Sequence, residues 1–101
     1  MAKRKSVFGV YITPKAKKML DEIKLGDIGS HHKIIKKIGG LRYSPDKRGQ
    51  ALVGLLRGLR RIVAAGRYRV VYLILQEQAA VHVIAAGIRE EGDQKDIYTL
   101  L

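Results

Sequence analysis

The chain has 101 residues, one domain's length, and its 47% hydrophobic content suffices for a folded core rather than a disordered tail. It holds no cysteine, which excludes disulfides, a thiol nucleophile and cysteine-held zinc, and no apolar run approaches the roughly 20 residues of a membrane span. Twenty Lys+Arg against nine Asp+Glu leave a net charge of +11, which calls for a polyanionic partner: nucleic acid, an acidic protein or an anionic membrane surface.

The start, Met1 to Lys5, is basic, but the apolar stretch after it holds glycine and threonine and stops at Pro14. That is not a secretory pattern, so a cytoplasmic location is expected. Val7 to Thr13 predicts a strand, rich in β-branched and aromatic residues. Thr13-Pro14 then marks a helix start, with Ala16, Met19, Leu20 and Ile23 at helical spacing and Gly26 as the stop. A second helix is predicted from about Ile28 to Ile38, with Ile28, Ile34, Ile35, Ile38 and Leu41 as its apolar face and Gly39-Gly40 ending it. The two make an αα-hairpin. Its exposed lysines read as a solvated face in preference to a membrane-binding one.

Leu41 to Gln50 reads as a loop. Three strands follow: Leu55 to Val63 with Gly58 inside it, Arg67 to Gln76, and Ala80 to Ile88. The middle one is apolar at both parities and so is expected at the centre of the sheet. Arg89 to Lys95 is polar and loop-like, and Asp96 to Leu101 ends in a short strand or helix. The order β-α-α-β-β-β plus a short C-terminal element predicts a single α+β domain over residues 1–101, a small antiparallel sheet with the helical hairpin packed on one face.

Most familiar sites are absent. Gly39-Gly40 is not followed by the Lys-Ser/Thr of a phosphate loop. His31 and His32 are adjacent and diverge by about 100° on a helix, and His82 stands alone in an apolar strand. No metal site and no cofactor are expected.

The arginines carry the sharper signal. Ten of the eleven lysines precede residue 48, whereas six of the nine arginines follow residue 56. A guanidinium is a planar fork matched to phosphate, while lysine is a flexible point charge. If Ala64-Ala65-Gly66 is a three-residue turn, Arg61 opposes Arg69. If Glu77 to Ala79 is another, Arg69 opposes Gly87 and Arg67 opposes Arg89. Arg61, Arg69 and Arg89 then share one sheet face, with Arg67 at its margin. Such a cluster costs stability, but it suits cleavage of RNA, which carries its own 2′-OH nucleophile and needs its developing phosphate charge stabilised. Tyr98 is suited to stack on a base or transfer a proton.

The runs Gly58-Leu59-Arg60-Arg61, Arg67-Tyr68-Arg69-Val70-Val71-Tyr72, Gly87-Ile88-Arg89 and Asp96-Ile97-Tyr98, in this order, resemble the RelE/ParE toxin superfamily. The likeness extends to the Thr13-Pro14 helix start and the approach from Leu41 through Ser44-Pro45 and Gly49 to Leu52 and Leu55. The resemblance implies a type II toxin, a RelE-like endoribonuclease that cuts mRNA on the ribosome, needs no metal or cofactor, and is countered by an acidic antitoxin. It implies catalytic roles for Arg61, Arg69, Arg89 and Tyr98. Arg60, Arg67 and Lys95 are expected to add RNA contacts. Two positions depart from the pattern: Val63 stands where the family often has a second basic residue, and the acidic segment between Arg89 and Tyr98 is long. The competing expectations are a ParE-like inhibitor of DNA gyrase and an RNA-binding module without catalysis.

Overall fold

Thr13 begins the first helix as its chemistry predicts. In the computed structural model, which describes residues 7–88 and 97–101, its hydroxyl accepts from the Ala16 amide at 3.2 Å, and Pro14 takes the first helical position. The helix α1 spans Pro14–Gly26 and α2 spans Ile28–Gly39. Asp27 joins them. Its carboxylate accepts from the amide and hydroxyl of Ser30 at 3.0 and 2.6 Å, capping α2 and lowering the Asp27 pKa.

The apolar face of α2 is narrower than the sequence predicts. Ile34, Ile38 and Leu41 are buried, but Ile28 and Ile35 are 57% and 40% exposed. At about 100° per residue, Ile35 lies one step off the buried stripe and Ile28 about 120° from Ile34.

The strands are β1 (Gly9–Ile12), β2 (Gln50–Ala51), β3 (Arg60–Ala64), β4 (Tyr68–Leu75) and β5 (Ala80–Ile88), and a short helix α3 covers Ile97–Leu100. They form one sheet in the order β1-β5-β4-β3-β2, with β4 central as expected. Every pair is antiparallel except β1–β5, which is parallel; the helical hairpin carries the chain from β1 at one edge of the sheet to β2 at the other. The fold class is therefore the expected α+β, with one parallel edge.

Two segments differ from expectation. Leu55 to Leu59 is not strand: Gly54–Leu56 forms a 3₁₀ turn, and β3 begins at Arg60. Gly54 and Gly58 adopt φ of +67° and +102°, which no extended ladder accommodates. Conversely, Gln50, the last residue of the predicted loop, and Ala51 after it form a strand that pairs with Arg61 and Arg60.

On one face of the sheet Ile62, Val70, Tyr72, Val81 and Val83 pack against Ala16, Leu20, Ile34 and Ile38 of the helices. The opposite face holds a smaller apolar cluster of Val71, Ala85 and Ile97, with Leu52, Leu59 and Tyr98 partly buried around it. The buried Tyr72 hydroxyl lies 2.8 Å from the carbonyls of both Pro45 and Arg48. The Arg60 guanidinium donates to the carbonyls of Arg48 and Gly49. Together they fasten the 45–49 loop to the sheet. Among the described residues no helix is long and apolar enough to cross a membrane.

Candidate active site

The face opposite the helices collects the arginines, by a route that differs in detail from the predicted one. The β3–β4 turn is Ala65 to Arg67, with Ala65 and Gly66 both left-handed at φ of +51° and +79°. Ala64 therefore stays in the strand and pairs with Tyr68, while Val63 opposes Arg69 and Arg61 opposes Val71. The register is two residues from the predicted one. A shift of two preserves the face, so Arg61 and Arg69 still share it, as diagonal rather than direct neighbours.

The β4–β5 turn is also one residue longer than predicted, because Leu75 pairs with Ala80. That alone would flip every later side chain to the other face. A bulge restores the register: Tyr72 opposes Val83, Val71 opposes Ala85, and Ile84 is the extra residue. Arg69 consequently faces Gly87, as the sequence predicts.

Gly87 lies beneath Ile97 and Met19. A Cβ there would sit 3.6 Å from Ile97 Cβ and 3.7 Å from Met19 Cε. Ile97 is fully buried on this spot, and it anchors α3 so that Tyr98 reaches the arginines. Arg61, Arg69 and Tyr98, with Leu52, Val53 and Leu56 from the turn before β3, line an open cleft of about 250 Å³. One wall is cationic, one apolar, and one a phenol.

Each guanidinium is held. Arg61 Nη2 donates to Gln50 Oε1 at 2.6 Å, and Arg69 Nη1 donates to the Arg67 carbonyl at 3.2 Å. The Arg69 Nε is shielded from solvent and has no hydrogen-bond partner among the described residues. A buried donor without an acceptor costs about 1–3 kcal/mol.

Other predicted residues lie elsewhere. Arg60 projects to the helix side, opposite Tyr72, where its guanidinium binds loop carbonyls. Arg67 leans over the Tyr68 ring, 5.3 Å from its centroid, and contributes to the lowered pKa of Asp27. His82 pairs with Leu73, four residues along β4 from Arg69, about 13 Å at a strand's rise, and its ring meets Tyr11 edge-on at 5.7 Å. Val63 is exposed opposite Arg69 and brings no titratable group. Arg89 and Lys95 lie outside the described residues. Among the described residues no three potential ligands gather for a metal.

Sequence reasoning missed Gln50 and the apolar wall. The wall had a signal, since Gly54 and Gly58 bracketing Leu55-Leu56-Arg57 mark a loop better than a strand. Gln50 had none, because its role follows from the two-residue strand it forms.

No protein-family model and no curated protein sequence matches the chain. Solved structures do. The toxin–antitoxin complex RelBE2 from Mycobacterium tuberculosis matches with a TM-score of 0.72 at 21% identity, over 87% of this chain and 98% of that one. The intact RelBE toxin–antitoxin complex of E. coli matches with a TM-score of 0.67 at 26% identity, over 83% and 99%. The chromosomal ParDE system of P. aeruginosa matches with a TM-score of 0.66 at 15% identity, over 84% and 99%. The motifs read from the sequence and the arrangement of its sheet and helices agree: the chain has the fold of the RelE/ParE toxin superfamily.

Proposed function

We propose that this chain is the toxin of a type II toxin–antitoxin pair and acts as a ribosome-dependent endoribonuclease on mRNA. The observation that carries the reading is the cleft that gathers Arg61, Arg69 and Tyr98, with the Arg69 Nε buried and unpartnered among the described residues.

In the proposed reaction the RNA 2′-oxygen attacks the adjacent phosphorus and the bond to the 5′-oxygen breaks. The products are a 2′,3′-cyclic phosphate and a free 5′-hydroxyl. Negative charge grows on the non-bridging oxygens, where Arg61 and Arg69 donate. Both are held before substrate arrives, so little reorganisation accompanies the charge. Arg89, two residues after Gly87 in sequence, is proposed as the third cation of the site. Arg60, Arg67 and Lys95 are proposed to add contacts to the RNA outside the cleft.

Val63 provides no proton, so transfer falls to Tyr98, the cleft residue able to exchange one among those described. The apolar wall of Leu52, Val53 and Leu56 suits a base and keeps water from the phosphate. Guanidinium and 2′-hydroxyl chemistry of this kind calls for no metal. The partner that restrains the toxin is proposed to be an acidic antitoxin, complementary to the +11 charge.

Primer extension on mRNA in a translating extract tests the reading. The wild type should produce ribosome-dependent cuts that Arg69→Ala and Arg89→Ala lose. The fold likeness to the ParDE system keeps a gyrase inhibitor as the second reading. An absence of cuts together with inhibited DNA supercoiling would reject the nuclease in its favour.

A further inference from the structure

We infer that Gln50 is a positioning residue for Arg61, holding the guanidinium in the cleft through a neutral acceptor that leaves its charge available to a phosphate. The consequence for RNA rests on the proposed reading of the cleft; the geometry does not.

Gln50 and Arg61 are directly paired across β2 and β3, so their side chains rise from the same face. The 2.6 Å bond from Arg61 Nη2 to Gln50 Oε1 is short for a guanidinium donor. Gln50 is itself fixed from behind. Gly49, at φ of +62°, lies so close to β3 that a Cβ on it would strike the Arg61 carbonyl. Arg60 donates to the Gly49 carbonyl and Tyr72 binds the Arg48 carbonyl, so the residues leading into β2 are tied to the sheet on its other side. A two-residue edge strand would otherwise fray.

The residue type matters as much as its place. Arginine loses much rotamer freedom when it binds, and an acceptor that pre-sets the side chain reduces that loss. A carboxylate would hold the guanidinium more strongly, in a bidentate pair, but would cancel the charge a phosphate needs. An amide oxygen orients without neutralising. Among the described residues no ion pair is formed by Arg61 or Arg69; the pair of Lys17 with Asp21 lies on the exposed surface of α1.

Two variants separate orientation from charge, Gln50→Ala and Gln50→Glu, both at an exposed edge position and checked for unchanged melting temperature. The first readout is ¹⁵N NMR of the Arg61 Nη groups. The second is the affinity, over a series of salt concentrations, for a single-stranded RNA carrying 2′-O-methyl groups so that it is not cut. Gln50→Ala should free the hindered rotation of Arg61 and leave the salt slope unchanged, while the saturated cleavage rate falls about tenfold through lost orientation. Gln50→Glu should keep the rotation hindered, weaken RNA binding about tenfold, and lower the log–log salt slope by about 0.7, one phosphate contact on a single strand. Equal Arg61 rotation in wild type and Gln50→Ala overturns the proposal, as does an unchanged salt slope in Gln50→Glu. If the wild type neither binds this RNA nor cuts mRNA on translating ribosomes, the nuclease reading fails instead. The Nη measurement then decides the positioning role alone: rotation hindered in wild type and free in Gln50→Ala upholds it, equal rotation rejects it.

Discussion

At the residue scale two side chains differ sharply in what their loss should do. Arg69 lines the cleft, and its Nε has no hydrogen-bond partner among the described residues; under the proposed function the side chain serves the phosphate rather than the fold. Arg69→Ala should lower cleavage by about 10²–10³-fold, the range for one preorganised donor at a developing charge. Lys17→Ala should change it less than about twofold, since Lys17 forms an exposed pair with Asp21, and such pairs contribute little. Single-turnover rates on programmed ribosomes measure both, and equal losses would mean diffuse charge in place of a site. Tyr72 is the reverse case, a residue of the fold. Burial raises its pKa above the ordinary value near 10, partly offset by Arg60. A raised folded-state pKa gives stability that is full below pH 10 and is lost as pH rises through the folded value. Tyr72→Phe should therefore cost about 1–3 kcal/mol at neutral pH, by stripping a donor from the buried loop carbonyls, and should flatten the decline in stability above pH 10. Urea melts at pH 7 to 11 report both effects.

At the scale of elements, the junctions decide the outcome. Asp27 closes α1 through its backbone amide, which donates to the Ile23 carbonyl, and caps α2 with its carboxylate. Asp27→Ala should destabilise the fold by removing the α2 cap. The lowered pKa of Asp27 means that this contribution is present above the unfolded value near 3.8 and is lost as pH falls through the folded one, so wild type and variant should converge in acid melts. Gly49→Ala should do more, about 1–3 kcal/mol from left-handed backbone alone and more from its collision with Arg61. Legibility in the sequence follows the same division. Thr13-Pro14, the apolar stripe of α1 and the run from Tyr68 to Leu75 are local patterns with local causes, and they were readable. The face shared by Arg61 and Arg69 was readable too, although both turns were misjudged. The first error was even, which preserves parity, and the second was undone by the bulge at Ile84. That bulge had no sequence signature, since Val83-Ile84-Ala85 looks like uninterrupted strand. Nor did β2, whose pairing depends on a loop held by Tyr72 and Arg60 from distant strands.

At the scale of the whole molecule the charge falls into two populations. Arginines 61 and 69 meet in the cleft, whereas Lys33, Lys36 and Lys37 are exposed on α2, across the sheet from it. A net charge of +11 on so small a body attracts a polyanion from beyond contact distance, and salt screens this attraction over about 8–10 Å. The lysines should thus govern encounter and the arginines turnover. Changing Lys33, Lys36 and Lys37 together to Gln removes three charges without touching the buried Ile34 and Ile38 that hold α2 to the sheet. Stopped-flow association with a fluorescent RNA should slow several-fold at 50 mM salt and converge on the wild-type rate at high salt. The cleavage rate at saturating substrate should stay within about twofold, because steering acts on arrival and not on the reacting phosphate. A triple variant that arrives at the normal rate but cleaves as poorly as Arg69→Ala would reverse the assignment, making α2 part of the site and the cleft a bystander.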